Sequence, residues 1–167
     1  MAVATPPTDA TNAELVRWSF DALNRQDLDA LRRFWTPETV ERFPDRTCQG
    51  TDEIAAYFAE AFAAISDWDM RIVSLSAEDD DVFVQWHLTG RHTGPLQGIA
   101  PTGKELAVDG MDHFVIREGR VVSNFVVFDQ FQYARQLGLI PLDGSRADRA
   151  MKAAFNAQTT VRHRLGR

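Results

Sequence analysis

Residues 106–130 read LAVDGMDHFVIREGRVVSNFVVFDQ, and this stretch predicts two adjacent antiparallel strands. Apolar residues alternate with other residues over 104–116 and again over 120–131, which is the pattern of strands with one buried face. Between the two runs the sequence REGR contains Gly119, which is typical of a tight hairpin turn. We therefore expect a hairpin whose strands lie side by side in one sheet.

One residue on the buried face of the first strand is a carboxylic acid. Asp112 alternates with the strand's apolar and glycine residues, which are Leu106, Val108, Gly110, Phe114 and Ile116. A carboxylate removed from water is costly unless it is paired, so such a group gains a partner or a raised pKa. Asp112 is therefore a candidate acid–base group. The alternative is a structural role, either paired with an arginine such as Arg42 or accepting backbone hydrogen bonds near Gly110.

The rest of the chain predicts helices before these strands. Helical spacing of apolar residues predicts helices over 11–27, 28–35 and 51–65, and alternation predicts strands over 68–78 and 82–94. Thr11 or Asn12 and Thr51 are the expected N-caps. Helices followed by strands indicate an α+β fold with an antiparallel sheet. A sheet curved around the N-terminal helices would form a cone-shaped barrel with an aromatic hollow.

The length of 167 residues predicts one main domain with short additions at its ends. Residues 1–11 are small, polar and contain proline, so we expect a disordered N-terminus. The domain is expected over 12–141. Residues 142–167 form a C-terminal extension that is expected to be partly helical, with Ser145 as its N-cap.

Composition argues against several classes of protein. A net charge of −6 disfavours nucleic-acid binding, because phosphate contacts need a basic surface. No run of about 18 apolar residues is present, so no membrane-spanning segment is expected. The single cysteine, Cys48, excludes an internal disulfide, and no signal peptide is recognised, so we expect a cytoplasmic protein.

The histidines do not predict a metal site. Neither H-x-H, H-E-x-x-H nor C-x-x-C spacing occurs. His87 and His113 alternate out of phase with the apolar faces, so they are expected to point away from the core. His92 begins the H-T-G turn and is expected to fix the following loop in place.

Three segments resemble the SnoaL-like polyketide cyclase, or ester cyclase, family of the nuclear transport factor 2-like superfamily. They are LVRWSFDALNRQDLDALRRFWTPE, TGRHTGPLQGIAPTGKEL and FVIREGRVVSNFVVFDQFQYARQLGLIP. The second contains the family's G-x-x-P-T-G-K loop from Gly98 to Lys104, and the third contains its Gln136-Leu137-Gly138 exit from the last strand. The resemblance covers about residues 12–141.

This resemblance implies a cone-shaped α+β barrel, commonly dimeric, with a pocket for a hydrophobic small molecule and with no metal or organic cofactor. In the family an aspartate on the last strand acts as acid and base in an intramolecular aldol closure of a polyketide ester. Its position is occupied here by Val126, which cannot move a proton, although the family's second aspartate matches Asp129. Ser123 and Phe125 replace the adjacent E-x-W pattern.

We therefore expect Asp112 to have taken over the acid–base role. Asn124 shares a face with Val126 and could bind a substrate carbonyl, while Asp129 is either a pocket acid or a cap at the strand end. Glu41 and Arg42 lie near the expected pocket mouth, where charges are commonly solvated. The expected substrate contacts are Trp18, Trp35, Arg42, Phe58, Phe62, Trp86, Phe114, Val126 and Phe128.

Three functions agree with these expectations. The first is a cofactor-independent cyclase or isomerase that acts by acid–base chemistry on a hydrophobic polyketide-like molecule. The second is a non-catalytic dimer that binds a small molecule or acts as a scaffold, and the third is an epoxide-opening enzyme on the same scaffold. A raised pKa of Asp112 would favour an enzyme, whereas a low pKa with an arginine partner would favour the binding protein.

Overall fold

A computed structural model describes residues 5, 7 and 9–165 of the chain. The expected disorder over 1–11 falls largely on residues outside this range. In order, the described elements are α1 (Asn12–Asn24), α2 (Leu28–Leu31), β1 (Val40–Arg42), β2 (Thr47–Gln49), α3 (Gly50–Ala64), β3 (Ile65–Glu78), β4 (Asp81–His92), β5 (Glu105–Arg117), β6 (Arg120–Phe128), α4 (Gln130–Leu137) and α5 (Arg146–Leu165).

The strands form one sheet in the order β2-β1-β6-β5-β4-β3. Neighbouring strands are antiparallel except β1 and β6, which run parallel. The predicted α+β fold is confirmed. The sheet curls around the helices without closing into a complete barrel, because β2 and β3 remain as its two edges.

The predicted hairpin is formed by β5 and β6. Glu118 and Gly119 both have positive φ, 51° and 72°, as a two-residue turn that follows the twist of its strands requires. The pairing sets Asp112 opposite Val126 and Phe114 opposite Asn124. Because β6 ends at Phe128, the last strand is three residues shorter than the alternation predicted.

The capping residues predicted from the sequence are correct for the start of α1 and wrong for the start of α3. Thr11 caps α1, and its side chain and that of Glu14 satisfy each other's backbone N–H groups. The predicted cap at Thr51 is wrong, since α3 begins one residue earlier, at Gly50. Gly50 has φ +78°, and an added Cβ would lie 3.0 Å from the Pro37 carbonyl oxygen, so a side chain is disfavoured there.

The core lies between the inner face of the sheet and helices α1 to α3. Val84 on β4 and Ile116 on β5 are fully buried there, as are Val16 of α1 and Ile54 of α3. In contrast, most residues of α5 are exposed. Among the described residues, no helix is both long and apolar enough to cross a membrane.

Candidate functional site

The curled sheet and the helices enclose a cavity of about 490 Å³. Its wall is mainly apolar and aromatic. Residues from almost every element contribute, including Leu31 of α2, Phe58 of α3, Met70 of β3, Leu88 of β4 and Val108 of β5. This size and composition suit a small hydrophobic molecule.

Asp112 lies on this wall and is only 7% exposed. Its Oδ1 accepts a hydrogen bond from the indole Nε1 of Trp86 at 2.9 Å, and its Oδ2 accepts one from Nδ2 of Asn124 at 3.4 Å. Both donors are neutral. Among the described residues, Asp112 therefore has neither the arginine partner nor the backbone hydrogen bonds that the structural alternative offered.

The indole of Trp86 can reach Asp112 because its neighbour across the strands has no side chain. Trp86 pairs with Gly110 in the sheet. A Cβ at position 110 would lie 2.1 to 2.6 Å from three atoms of the indole ring. The absence of a side chain at Gly110 therefore leaves room for the Trp86 indole beside Asp112.

Burial is the main influence on the acidity of Asp112. Removal from water raises its pKa from an ordinary value of 3.8 to about 7, although the hydrogen bonds from Trp86 and Asn124 act in the opposite direction. A carboxyl group with this pKa can accept or donate a proton near neutral pH.

A second carboxyl group, that of Glu41 on β1, lies on the same cavity wall and is 2% exposed. The pKa of Glu41 is raised from 4.5 to about 8. Burial is the main cause of this rise, and the negative charge of Asp112 contributes to it. The nearby N–H groups of Trp35 and Asn124 favour the charged form and oppose this rise in pKa. Glu41 pairs with Asn124 in the sheet, so Asn124 stands between the two acids.

Two buried oxygen atoms at this point are unsatisfied. Oε2 of Glu41 and Oδ1 of Asn124 have no hydrogen-bond partner within the described part of the chain. Buried polar atoms are normally paired, so unpaired ones on a cavity wall indicate where a ligand would make hydrogen bonds.

Aromatic side chains form much of the remaining wall. The rings of Trp35 and Phe58 stack with centroids 5.8 Å apart, and those of Phe43 and Tyr57 stack at 3.8 Å. Phe128 lies 6.4 Å from Trp86. Flat apolar surfaces of this kind hold planar molecules by contact area and stacking.

A group of hydrogen-bonded polar residues lines the cavity where it meets solvent. Arg46 contacts Glu60 at 3.2 Å, and Gln97 donates to Asp45 at 2.7 Å. The backbone N–H of Gln97 also donates to Glu60. These contacts join the β1–β2 turn, α3 and the loop after β4 around the opening.

Six of the nine predicted substrate contacts line the cavity. They are Trp35, Phe58, Trp86, Phe114, Val126 and Phe128. Trp18 does not, because it packs edge-on against Phe34. Phe62 does not line the cavity either, and it packs edge-on against Trp68.

The expectation for Arg42 needs correction. Strand β1 places Glu41 inside and Arg42 outside, where the guanidinium lies 4.7 Å from the centre of the Phe125 ring. The alternation within TVERF contains this information, but three residues of strand are too few to show which face is buried. Sequence reasoning therefore missed Glu41.

Of the two roles expected for Asp129, pocket acid or cap at the strand end, the structure shows the cap. Its carboxylate is the N-cap of α4 and accepts a hydrogen bond from the backbone N–H of Gln132 at 2.9 Å. It does not line the cavity. Asp112 and Asn124, the other two predicted catalytic residues, both do.

The histidines lie away from the two acids. His87 contacts Asp109, and His113 contacts Asp81, on the outer side of the sheet. His92 is buried and its Nδ1 lies 3.1 Å from the hydroxyl of Thr102, which fixes the loop between β4 and β5. Within residues 5, 7 and 9–165, no group of three or more His, Cys, Asp or Glu side chains could hold a metal ion.

The curled sheet, the helices packed inside it and the enclosed cavity define a nuclear transport factor 2-like α+β domain. The chain belongs to the SnoaL-like polyketide cyclase family, whose model matches residues 13–137. No curated protein matches the sequence.

Solved structures show the same fold. AclR from Streptomyces galilaeus, proposed to be a hydroxylase, is 24% identical with a TM-score of 0.69, and the match covers 89% of this chain and 94% of AclR. A SnoaL-like protein from Jannaschia, proposed to be a polyketide cyclase, is 23% identical with a TM-score of 0.71, covering 81% and 100%. IdmH from Streptomyces antibioticus, also proposed to be a polyketide cyclase, is 19% identical with a TM-score of 0.66, covering 77% and 99%.

Proposed function

We propose that the protein is a cyclase or isomerase that acts by acid–base chemistry on a hydrophobic, polyketide-like carbonyl compound. The observation that carries this proposal is the Asp112 carboxyl group, which is buried on the wall of an apolar cavity. Its burial raises its pKa to about 7. Membership of the SnoaL-like family supports the same type of reaction. In line with the family resemblance, no metal or organic cofactor takes part.

Asp112 would act as the base that removes a proton from carbon next to a substrate carbonyl. The donors Trp86 and Asn124 hold the carboxylate in one orientation and favour its charged form. Asn124 is thereby a positioning residue for Asp112. The aromatic wall would hold the substrate in a reactive conformation, which lowers the entropic part of the barrier.

The alternatives receive less support. A binding protein without chemistry was expected to pair Asp112 with an arginine and to lower its pKa, whereas the pKa is raised. An epoxide-opening site of the Asp-Arg-Asp kind needs an arginine beside the acid, and the hydrogen-bond partners of Asp112 in the described residues are Trp86 and Asn124.

The proposal is tested with 1-tetralone, a bicyclic aromatic ketone, as the probe. Exchange of its α-hydrogens in D2O is followed by proton NMR with the wild-type protein and with Asp112→Asn. Loss of a general base should reduce the catalysed rate about 10²- to 10⁴-fold.

The matched control is Asp109→Asn, which removes an exposed carboxylate from the outer face of the same strand. It should exchange the probe at the wild-type rate. No catalysed exchange by the wild-type protein, or full exchange by folded Asp112→Asn, contradicts the proposed function.

We also propose that the protein is a homodimer, with the outer face of the sheet as the interface. The support is a group of exposed apolar side chains on neighbouring strands there, namely Phe83, Met111, Phe125 and Val127. Contiguous exposed apolar surface is a common mark of a protein interface. Light scattering should give the dimer mass for the wild-type protein and the monomer mass for Phe125→Glu. A wild-type monomer at micromolar concentration contradicts the proposal.

A further inference from the structure

We infer that Glu41 is a second catalytic residue, and that Glu41 and Asp112 act as an acid–base pair on an enolisable carbonyl substrate. This inference rests on the proposed function and adds to it the residue that supplies the acid.

The two carboxyl groups reach one cavity from different strands. Glu41 lies on β1, and the parallel pairing of β1 with β6 sets it beside Asn124. The Asn124 amide in turn donates to Asp112 on β5. One amide therefore separates the two acids, and both of them contact the same enclosed space.

The unpaired atoms at this point suit a carbonyl or enol oxygen of a ligand. A protonated Glu41 offers an O–H donor, and its Oε2 has no partner among the described residues. The unpaired Oδ1 of Asn124 beside it can accept a hydrogen bond from an enol O–H. A substrate oxygen placed here would satisfy both groups, which otherwise remain buried and unsatisfied.

Burial and the charge of Asp112, rather than the other titratable groups nearby, determine whether Glu41 is protonated. Cys48 is its register partner on β2, and burial raises the pKa of that thiol, which stays neutral. Arg46 lies at the cavity opening, where it contacts Asp45 and Glu60. Burial raises the pKa of both acids, and the negative charge of Asp112 raises that of Glu41 further, so we expect Asp112 to ionise first while Glu41 keeps its proton.

The pair conserves one proton through the reaction. The Asp112 carboxylate takes the C–H proton, and the Glu41 carboxyl gives its proton to the carbonyl oxygen, so the substrate becomes an enol. For isomerisation, Glu41 takes back the enol proton while Asp112 returns its proton to a different carbon. For ring closure, the enol carbon bonds to a second carbonyl carbon, whose oxygen takes the proton from Asp112 as the enol proton returns to Glu41.

The first test is the pH dependence of 1-tetralone exchange. The wild-type rate should rise as Asp112 ionises near pH 7 and fall as Glu41 loses its proton near pH 8. Glu41→Gln keeps a hydrogen-bond donor but cannot give a proton, so we expect the rate to fall about 10²-fold and the alkaline limb to disappear. Glu38→Gln, which removes an exposed carboxylate just before β1, should keep the wild-type profile.

The second test needs no substrate. In protein with ¹³C-labelled carboxyl groups, the Glu41 resonance should titrate near pH 8, and its pKa should fall in Asp112→Asn because a neighbouring negative charge is lost. Titration of Glu41 close to its ordinary value of 4.5 overturns the inference. An unchanged exchange profile in folded Glu41→Gln overturns it as well, and if Asp112→Asn is inactive in that case, the proposed function stands without Glu41.

Discussion

Carboxyl groups are removed from solvent in two regions of this molecule, and their pKa values are shifted in opposite directions there. Asp112 in the cavity is 7% exposed, and burial raises its pKa to about 7. Asp148 at the start of α5 is 1% exposed, yet its pKa is lowered, chiefly by its hydrogen bond from Lys152. The Lys152 ammonium lies 2.8 Å from Asp148, and the backbone N–H of Gly144 lies 3.0 Å from the same oxygen.

The two acids differ in depth as well as in partner, because Asp148 is covered by surface side chains such as the half-exposed Lys152, whereas Asp112 lies on the wall of the cavity. Asp148 has a cation and serves to begin a helix. Asp112 and Glu41 have neutral donors or none, so their charged forms are disfavoured by the protein around them. Groups that cost stability when charged are commonly retained for function.

The largest expected effect is on the pH dependence of stability. The folded pKa of Glu41, about 8, exceeds its ordinary value of 4.5, so the folded protein holds a proton that the unfolded chain releases. Its contribution to stability is therefore complete below pH 4.5 and is lost as the pH rises to about 8. Glu41→Gln cannot ionise and has no such loss. At about pH 8 and above, its free energy of unfolding should therefore exceed that of the wild type by about 3–5 kcal/mol.

Urea unfolding at a series of pH values measures this advantage. Asp148→Asn is the matched comparison, and its effect should have the opposite sign. Because the Asp148 pKa is lowered, its contribution is present above the ordinary value of 3.8 and is lost as the pH falls. An advantage of Glu41→Gln that is constant with pH would show that Glu41 is as well solvated in the folded protein as in the unfolded chain.

The same contrast explains which residues sequence analysis could find. Asp112 sits within a strand of 13 residues, so the alternation on both sides identifies its face. Glu41 sits in a strand of three residues whose buried face is set by pairing with β6, about 80 positions along the chain. The Ser145 cap of α5 depends only on its neighbours and was predictable from them.

An intermediate effect is expected when Asp112 loses its indole donor. Trp86→Phe keeps a ring beside Gly110 but removes the 2.9 Å hydrogen bond. That bond favours the carboxylate, so the Asp112 pKa should rise above about 7 and move the acid limb of the exchange profile upward. At a pH where Asp112 is ionised, the variant should lose about 1–3 kcal/mol of stability.

Trp68→Phe provides the control for this change. Trp68 lines the same cavity, and its indole N–H has no partner among the described residues. The substitution removes a similar amount of side chain without removing a hydrogen bond to an acid. If Trp68→Phe shifts the carboxyl titration of Asp112 as far as Trp86→Phe does, the indole of Trp86 acts by shape and not by donating.

The smallest effect is expected at the start of α5. The Ser145 hydroxyl accepts a hydrogen bond from the Asp148 N–H at 3.1 Å, so Ser145→Ala should weaken the first turn by about 1 kcal/mol. Since most of α5 is exposed, the loss should remain local and raise amide hydrogen exchange in α5 alone. Thr160→Ala, which removes a hydroxyl near the C-terminal end of the same helix, should leave the first turn unchanged. Faster exchange in β5, or a shifted Asp112 titration in Ser145→Ala, would mean that the two regions are coupled.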